Sequence, residues 1–398
     1  MRLSRFQRTF ALITGGKIAG ALLQAASLAL LASFMDVAEF GRFFVVVSIT
    51  YLAMTPFEFG FGTLALRIKR EDDPGGTLAA VLALRCTTTA LTIGLTFVGC
   101  VLSFENMSPS LILAATIWAT SEAVGNLSQN LYVGLLRENV AIAFLLARRA
   151  VLVAALLLGQ AQRVSSPTEL ILFACGLSLV AGPALLSIHA SLPMQSPIKL
   201  LSSRRRFWLT GLGDNLRQLD TVIVMLLAGP VVTGYFAAAS RLVAPLGILT
   251  SSLMQSMIPE MVRRGKEDTS QFLRSALRYM TLVAAVLALA SSASPILMTV
   301  VYGSEFGPSW PIAAAIIFGA GLTAMNQTIL AWEVDQGLSG AVTVIILLST
   351  FLYLTCISAA SFASTTYALA VGILVSGMAY HLALRFRFVK HFPKAEAT

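Results

Sequence analysis

The sequence is poor in charge. Asp, Glu, Lys and Arg make up 12% of its 398 residues, about half the share found in ordinary soluble domains, which excludes a soluble globular protein of this size. Histidine is scarcer still: His189, His381 and His391 read as helix-end residues without the spacing of a metal site. The four cysteines, Cys86, Cys100, Cys175 and Cys356, all fall within apolar stretches. They read as small buried apolar residues, neither disulfide partners nor metal ligands. The chain has no P-loop and no Gly-x-Ser-x-Gly, so neither ATP-driven work nor serine hydrolysis has a carrier. The acidic run Glu71–Gly76 (EDDPGG) stands beside Arg67, Lys69 and Arg70 and reads as a polar turn rather than a metal site. Long loops are lacking as well, so there is no room for a soluble catalytic domain.

What the chain has instead is apolar length. It is 57% hydrophobic, in runs of about 20 residues or more, the length that crosses a bilayer as a helix. A β-barrel would show short alternating strands. The expected fold class is therefore all-α integral membrane, with about twelve spans. They fall near 10–34, 43–65, 78–103, 109–133, 140–160, 168–190, 208–228, 232–257, 275–300, 309–332, 340–360 and 364–385. Arg2, Arg5 and Arg8 ahead of the first run mimic a signal peptide. That run extends to Phe34, carries Lys17 and has no convincing cleavage site, so it reads as a retained first helix.

Basic residues alternate between the connections. One side holds Arg2/Arg5/Arg8, Arg67/Lys69/Arg70, Arg137, Lys199 with Arg204–Arg206, Arg263/Arg264/Lys266 and Arg385/Arg387/Lys390/Lys394; the other holds little beyond Arg42 and Arg163. The positive-inside rule places the basic side and both termini in the cytoplasm. The net charge of +9 is thus explained by membrane topology and by an anion met inside, without nucleic acid. The longest connection, 191–207, carries Pro193, Pro197 and the arginine cluster. It divides the chain into six-helix bundles, 1–195 and 196–398. Residues AEFGRFFVVVSITYL from Ala38 and VTGYFAAASRLVAPL from Val232 form an internal repeat about 193 residues apart. In each, Gly41 or Gly234 is expected to end a short turn, aromatics follow, and Ser48 or Ser240 lies on the helix. Six spans per half make the copies parallel, related by a pseudo-two-fold along the membrane normal, with substrate between them.

The seventh span breaks the apolar rule. Trp208–Gly229 contains Asp214, Arg217 and Asp220. At mid-membrane each charge costs about 2.5–3.5 kcal/mol, against about 4–5 kcal/mol that all the apolar residues of the segment return. The charges must face protein or water, which by default marks a pathway or a binding site. Their spacing of three places them on one helical face. Either Arg217 neutralises the two carboxylates, or it meets an anion while one acid carries a proton.

Ala38–Arg67 (AEFGRFFVVVSITYLAMTPFEFGFGTLALR) and Asp214–Leu242 (DNLRQLDTVIVMLLAGPVVTGYFAAASRL) resemble the polysaccharide-exporter and O-antigen flippase branch of the multidrug/oligosaccharidyl-lipid/polysaccharide (MOP) superfamily. The matching motifs are Glu58–Gly60 through Arg67, then Asp220, Gly234–Tyr235 and Arg241. The resemblance implies a bacterial inner-membrane flippase, without enzymatic activity, that passes an undecaprenyl-diphosphate-linked oligosaccharide outward by alternating access. Membrane lipids and other polysaccharide-assembly proteins would be its partners. No cofactor is expected; without an ATP site, transport energy comes from an ion gradient, H+ or Na+ being the candidates, from the membrane potential or from a substrate gradient.

Under that resemblance Arg217, Arg241, Lys17 and Arg85 are the substrate-binding candidates, since Arg grips a diphosphate and stays charged at any depth. Arg241 reads as a cavity residue. Lys17, amid Gly15, Gly16 and Gly20, either snorkels or turns inward on the small face; Arg85 has the same two readings. Asp220, Asp214, Glu58 and Glu122 are the coupling candidates. Glu122 opens the polar stretch Ser121, Asn126, Ser128, Gln129 and Asn130 of the fourth span. Arg148 and Arg149 read as helix-end anchors. Asn326, Gln327, Glu333 and Asp335 form the second half's polar counterpart, the last two also readable as loop residues. A cation-coupled antiporter of the same superfamily and a membrane glycosyltransferase or polymerase are the competing expectations.

Overall fold

Asp36, Asp73 and Ser108 each begin a helix in the same manner. The Asp36 carboxylate accepts from the Glu39 N–H at 2.7 Å, Asp73 from Gly76 at 2.9 Å, and Ser108 Oγ from Leu111 at 3.3 Å. Each satisfies a donor that the first helical turn leaves without a partner. Pro74 and Pro109 follow at the first helical position, where a missing N–H does no harm.

The computed structural model describes residues 5–58, 61–68, 73–164, 166–191, 194, 196, 215–335 and 339–396. Of these, 5–11, 63, 66–67, 244–245, 247–271, 331, 334–335, 339–343 and 391–396 are described by backbone alone. The described residues form helices α1 (Arg5–Ala32), α2 (Val37–Met54), α3 (Phe61–Arg67), α4 (Pro74–Ser103), α5 (Pro109–Gly134), α6 (Glu138–Ala161) and α7 (Thr168–Ser187). They continue as α8 (Leu219–Ser291), α9 (Ser294–Tyr302), α10 (Trp310–Asp335), α11 (Ser339–Ser361) and α12 (Thr366–Glu396). Among the described residues, ten helical segments are long and apolar enough to cross a membrane, a multi-pass membrane architecture.

The chain divides into two units, Met1–Val222 and Ile223–Thr398. In the first, α5 is the hub, packed against α2, α3, α4, α6 and α7, while α1 lies on α6. Phe43 meets Trp118 edge-on at 5.7 Å, and Phe40 and Phe44 fill the space beside them. Gly134 lets α5 approach α3 closely: a Cβ there would overlap the Ala65 carbonyl. In the second unit α12 packs on α10 and α11, with Trp332 edge-on to Phe388 and Trp310 to Tyr367.

Several expectations are corrected. The second span, 43–65, is not one helix: α2 ends at Met54, Thr55–Phe57 form a 3-10 turn around Pro56, and α3 begins at Phe61. Proline removes a backbone donor and destabilises the regular helix at that point. The fourth span, 109–133, forms α5, yet it is not among the ten apolar segments. Its polar side chains face neighbouring helices, so its burial does not depend on hydropathy. The loop expected between the eighth and ninth spans is helical within α8. Gly41 and Gly234 lie inside α2 and α8 rather than at the end of a turn. Cys86 is exposed and Cys356 partly so; Cys100 and Cys175 are buried.

α8 is not regular throughout. Gly229 has φ +83°, open to glycine at no steric cost, and Pro230 follows. Thr233 Oγ1 contacts Met225 Sδ at 3.8 Å. A straight helix would separate positions 225 and 233 by about 12 Å, so α8 departs from a straight course near Gly229.

Candidate functional site

The break between α2 and α3 places Glu58 outside regular helix: its N–H bonds the Thr55 carbonyl, and its own carbonyl accepts from Phe61. From there its carboxylate reaches across to α4, where Arg85 Nη1 lies 3.2 Å from Glu58 Oε1. The partners differ in burial, with Arg85 at 4% exposure and Glu58 at 38%. Among the described residues this is the one hydrogen bond of the Arg85 guanidinium, and its Nε is buried without a partner. Beyond Arg85, Thr89, Thr92 and Thr96 continue the same buried face of α4, and their hydroxyls have no partner among the described residues.

A second cluster joins α1, α5 and α6. Glu122 Oε2 lies 3.3 Å from Arg148 Nη2 and 3.2 Å from Arg149 Nη2. Arg148 also donates to the Ser121 and Glu122 carbonyls and to Asn126 Oδ1. Arg149 donates to the Gly20 carbonyl and to Gln24 Oε1 on α1. Gly125 makes room for this arrangement, because a Cβ there would collide with the Arg148 guanidinium. Arg148 and Arg149 are therefore not helix-end anchors. They stand mid-helix in α6, and with one carboxylate between them they leave a buried excess of one positive charge. The signal was present in the sequence: both arginines sit at the centre of the span expected at 140–160.

Of the remaining candidates, Lys17 is half-buried on α1 and forms no hydrogen bond or ion pair among the described residues. Asp214 lies outside the described residues. Arg217 and Gln218 form a turn just before α8, with the Asp220 N–H bonded to the Arg217 carbonyl. Arg217 is exposed, and the half-buried Asp220 accepts from the N–H and hydroxyl of Thr221. Arg241 is half-buried on α8, close enough to Tyr302 on α9 to act on it electrostatically.

In the second unit, His381 Nδ1 and Asn326 Oδ1 are 2.7 Å apart, joining α12 to α10. Arg387 Nε donates to the fully buried Glu333 Oε1 at 2.8 Å. His381 is thus a mid-helix residue, and Glu333 belongs to the packed interior rather than to a loop. Among the described residues no cluster of His, Cys, Asp and Glu could hold a metal ion.

No family model and no curated protein sequence matches the chain. Solved structures do. The lipid II flippase MurJ in an inward closed conformation superposes with a TM-score of 0.74 at 14% identity, covering 97% of this chain and 90% of that one. An inward-facing multidrug resistance MATE family transporter of the MOP superfamily gives 0.61 at 14% identity, over 96% and 94%. The chain has the fold of MOP-superfamily transporters. Another structure with this fold, from Pyrococcus furiosus, gives 0.63 at 14% identity over 96% and 95%; its binding pocket is described as having reverse polarity, suggesting a different function. The MOP structures matched here are transporters and flippases, not enzymes.

Proposed function

We propose that the chain is a flippase that carries an undecaprenyl-diphosphate-linked oligosaccharide from the cytoplasmic to the outer leaflet of a bacterial inner membrane during surface polysaccharide synthesis. The observation that carries this reading is Arg85, a buried guanidinium beside a broken helix with most of its donors unused. Irregular backbone at membrane depth is tolerated where it lines a cavity or is buried in protein. An arginine held there is suited to phosphate oxygens, which accept several N–H donors at once. The excess positive charge at Arg148 and Arg149 favours an anion in the same unit. The structural likeness to a lipid II flippase supports a lipid-linked substrate.

In this reading the two halves, 1–195 and 196–398, rock about the substrate. Arg85, Arg217, Arg241 and Lys17 meet the diphosphate while the prenyl tail stays in lipid. Deleting the gene should accumulate lipid-linked sugar on the cytoplasmic side. Normal export in a deletion strain without a paralogue rejects the reading. Arg217→Ala beside Arg217→Lys tests one member of the set: activity in both removes it. The fold's likeness to multidrug transporters favours a second reading, a cation-coupled antiporter. Uptake of cationic dyes by vesicles containing the protein distinguishes it.

A further inference from the structure

Three arginines of the first unit are buried or partly buried, and among the described residues each leaves its Nε without a partner, but two of them are well supplied at their terminal nitrogens. Arg148 bonds two carbonyls, a carboxylate and an amide; Arg149 bonds a carbonyl, an amide and a carboxylate. Among the described residues Arg85 has one contact, to Glu58, although a guanidinium offers five N–H donors. A buried donor without a partner is expensive and rare, so its persistence calls for an explanation.

The one contact is also of a replaceable kind. It is a single bond at 3.2 Å, not the two-pronged pairing a carboxylate can make with arginine. Arg85 is covered, whereas Glu58 is 38% exposed, so the carboxylate is the partner of the pair that solvent reaches. Glu58 stands between a 3-10 turn and α3, where no regular helix fixes it on both sides. Thr89 and Thr92, at i+4 and i+7 from Arg85, present buried hydroxyls without partners on the same face. An incoming oxyanion would therefore find unused N–H and O–H donors together, behind one carboxylate.

We propose that Glu58 is a tethered, displaceable anion that occupies Arg85 until a diphosphate takes its place. The proposal rests on the flippase reading for the identity of that diphosphate. The exchange does two things. It lowers the affinity of the empty site by the fraction of time Glu58 holds Arg85. It also gives the site a means of release, because the returning carboxylate reclaims Arg85 and the diphosphate is not trapped on a buried cation. Glu58 is thus a positioning residue that acts through Arg85.

The test measures binding of inorganic pyrophosphate to the purified full-length protein in phosphatidylcholine nanodiscs, beside lipid-linked sugar flipping in proteoliposomes. Glu58→Gln should tighten pyrophosphate binding about tenfold, as expected if the carboxylate holds Arg85 for nine-tenths of the time. It should also slow flipping. Arg85→Ala should abolish binding, and the double variant should bind no better than Arg85→Ala alone. Unchanged or weaker binding in a Glu58→Gln protein that melts within a few degrees of wild type overturns the proposal. So does tightening that survives Arg85→Ala, or a complete lack of binding by wild type and Glu58→Gln alike. Nanodiscs of phosphatidylglycerol separate the two phosphate sources: loss of the pyrophosphate shift there assigns Arg85 to an ordinary lipid headgroup and overturns the proposal as stated. If the binding pattern holds but wild type does not flip lipid-linked sugar, the exchange stands and the flippase reading falls. If wild type flips and Glu58→Gln is indistinguishable from it, the exchange alone falls.

Discussion

Two acid–base clusters in one unit use the same chemistry to opposite ends. At Glu122, two arginines, two carbonyls from α5, one carbonyl from α1 and two amides are knotted around one carboxylate across three helices. At Glu58, one carboxylate rests on one arginine through one bond, and the hydroxyls nearby are left idle. The first arrangement has a single good answer, so it fixes how α1, α5 and α6 meet. The second leaves most of its arginine's donors unused among the described residues, whereas in the first only the Nε groups of Arg148 and Arg149 are buried without a partner. Ion-pair distances alone would rank the two as equals; the count of satisfied donors separates them.

The comparison breaks first at Glu122. Glu122→Ala leaves two buried guanidinium groups without a counter-charge, a loss of about 3–5 kcal/mol. It should appear as a large drop in melting temperature in detergent and as loss of the monodisperse chromatographic peak; a wild-type melt would show that the knot carries no stability. A smaller effect is expected from Gly125→Ala, whose new Cβ would displace the Arg148 guanidinium. Overpacking of this kind costs about 1–3 kcal/mol. Gly94→Ala on α4 is its control, because that position has nothing within 4 Å, and Ala there should be neutral or slightly stabilising. Equal melting curves for the two variants would remove the close approach as a cause. The smallest effect on stability belongs to Arg85→Ala. It frees a carboxylate that is already more than a third exposed and removes a buried guanidinium with few partners, so the lost bond and the relieved desolvation largely offset, leaving about 1 kcal/mol or less. A melt as poor as that of Glu122→Ala would make Arg85 structural.

Hydropathy made most of the helices legible, since a run of about 20 apolar residues has few other uses. Pro56, with glycines at 60 and 62, signalled the break after α2, although the regular span drawn through 43–65 passed over it. Gly229–Pro230 was legible as a departure from regular helix because both residues are specific about backbone geometry. The partners of the charges were not legible. Arg148 and Arg149 lie 26 and 27 residues from Glu122, and periodicity along one helix says nothing about which neighbour it faces. Arg85 and Glu58 were both marked as candidates, but as a binding residue and a coupling residue apart. Their meeting depends on how α4 packs beside the break after α2, which the pattern along either segment does not encode. Glu333 looked like a loop residue because charge at the end of an apolar run usually is; Arg387, on a helix later in the chain, makes its full burial possible.

The polar hub helix has a consequence for how the protein is made. A chain grows at about 5–20 residues per second, so Glu122 leaves the ribosome some 1–5 seconds before Arg148 and Arg149. During that interval the guanidinium groups that neutralise its carboxylate do not yet exist. Entry of α5 and α6 together as a hairpin would bring the Glu122 carboxylate into the membrane already paired.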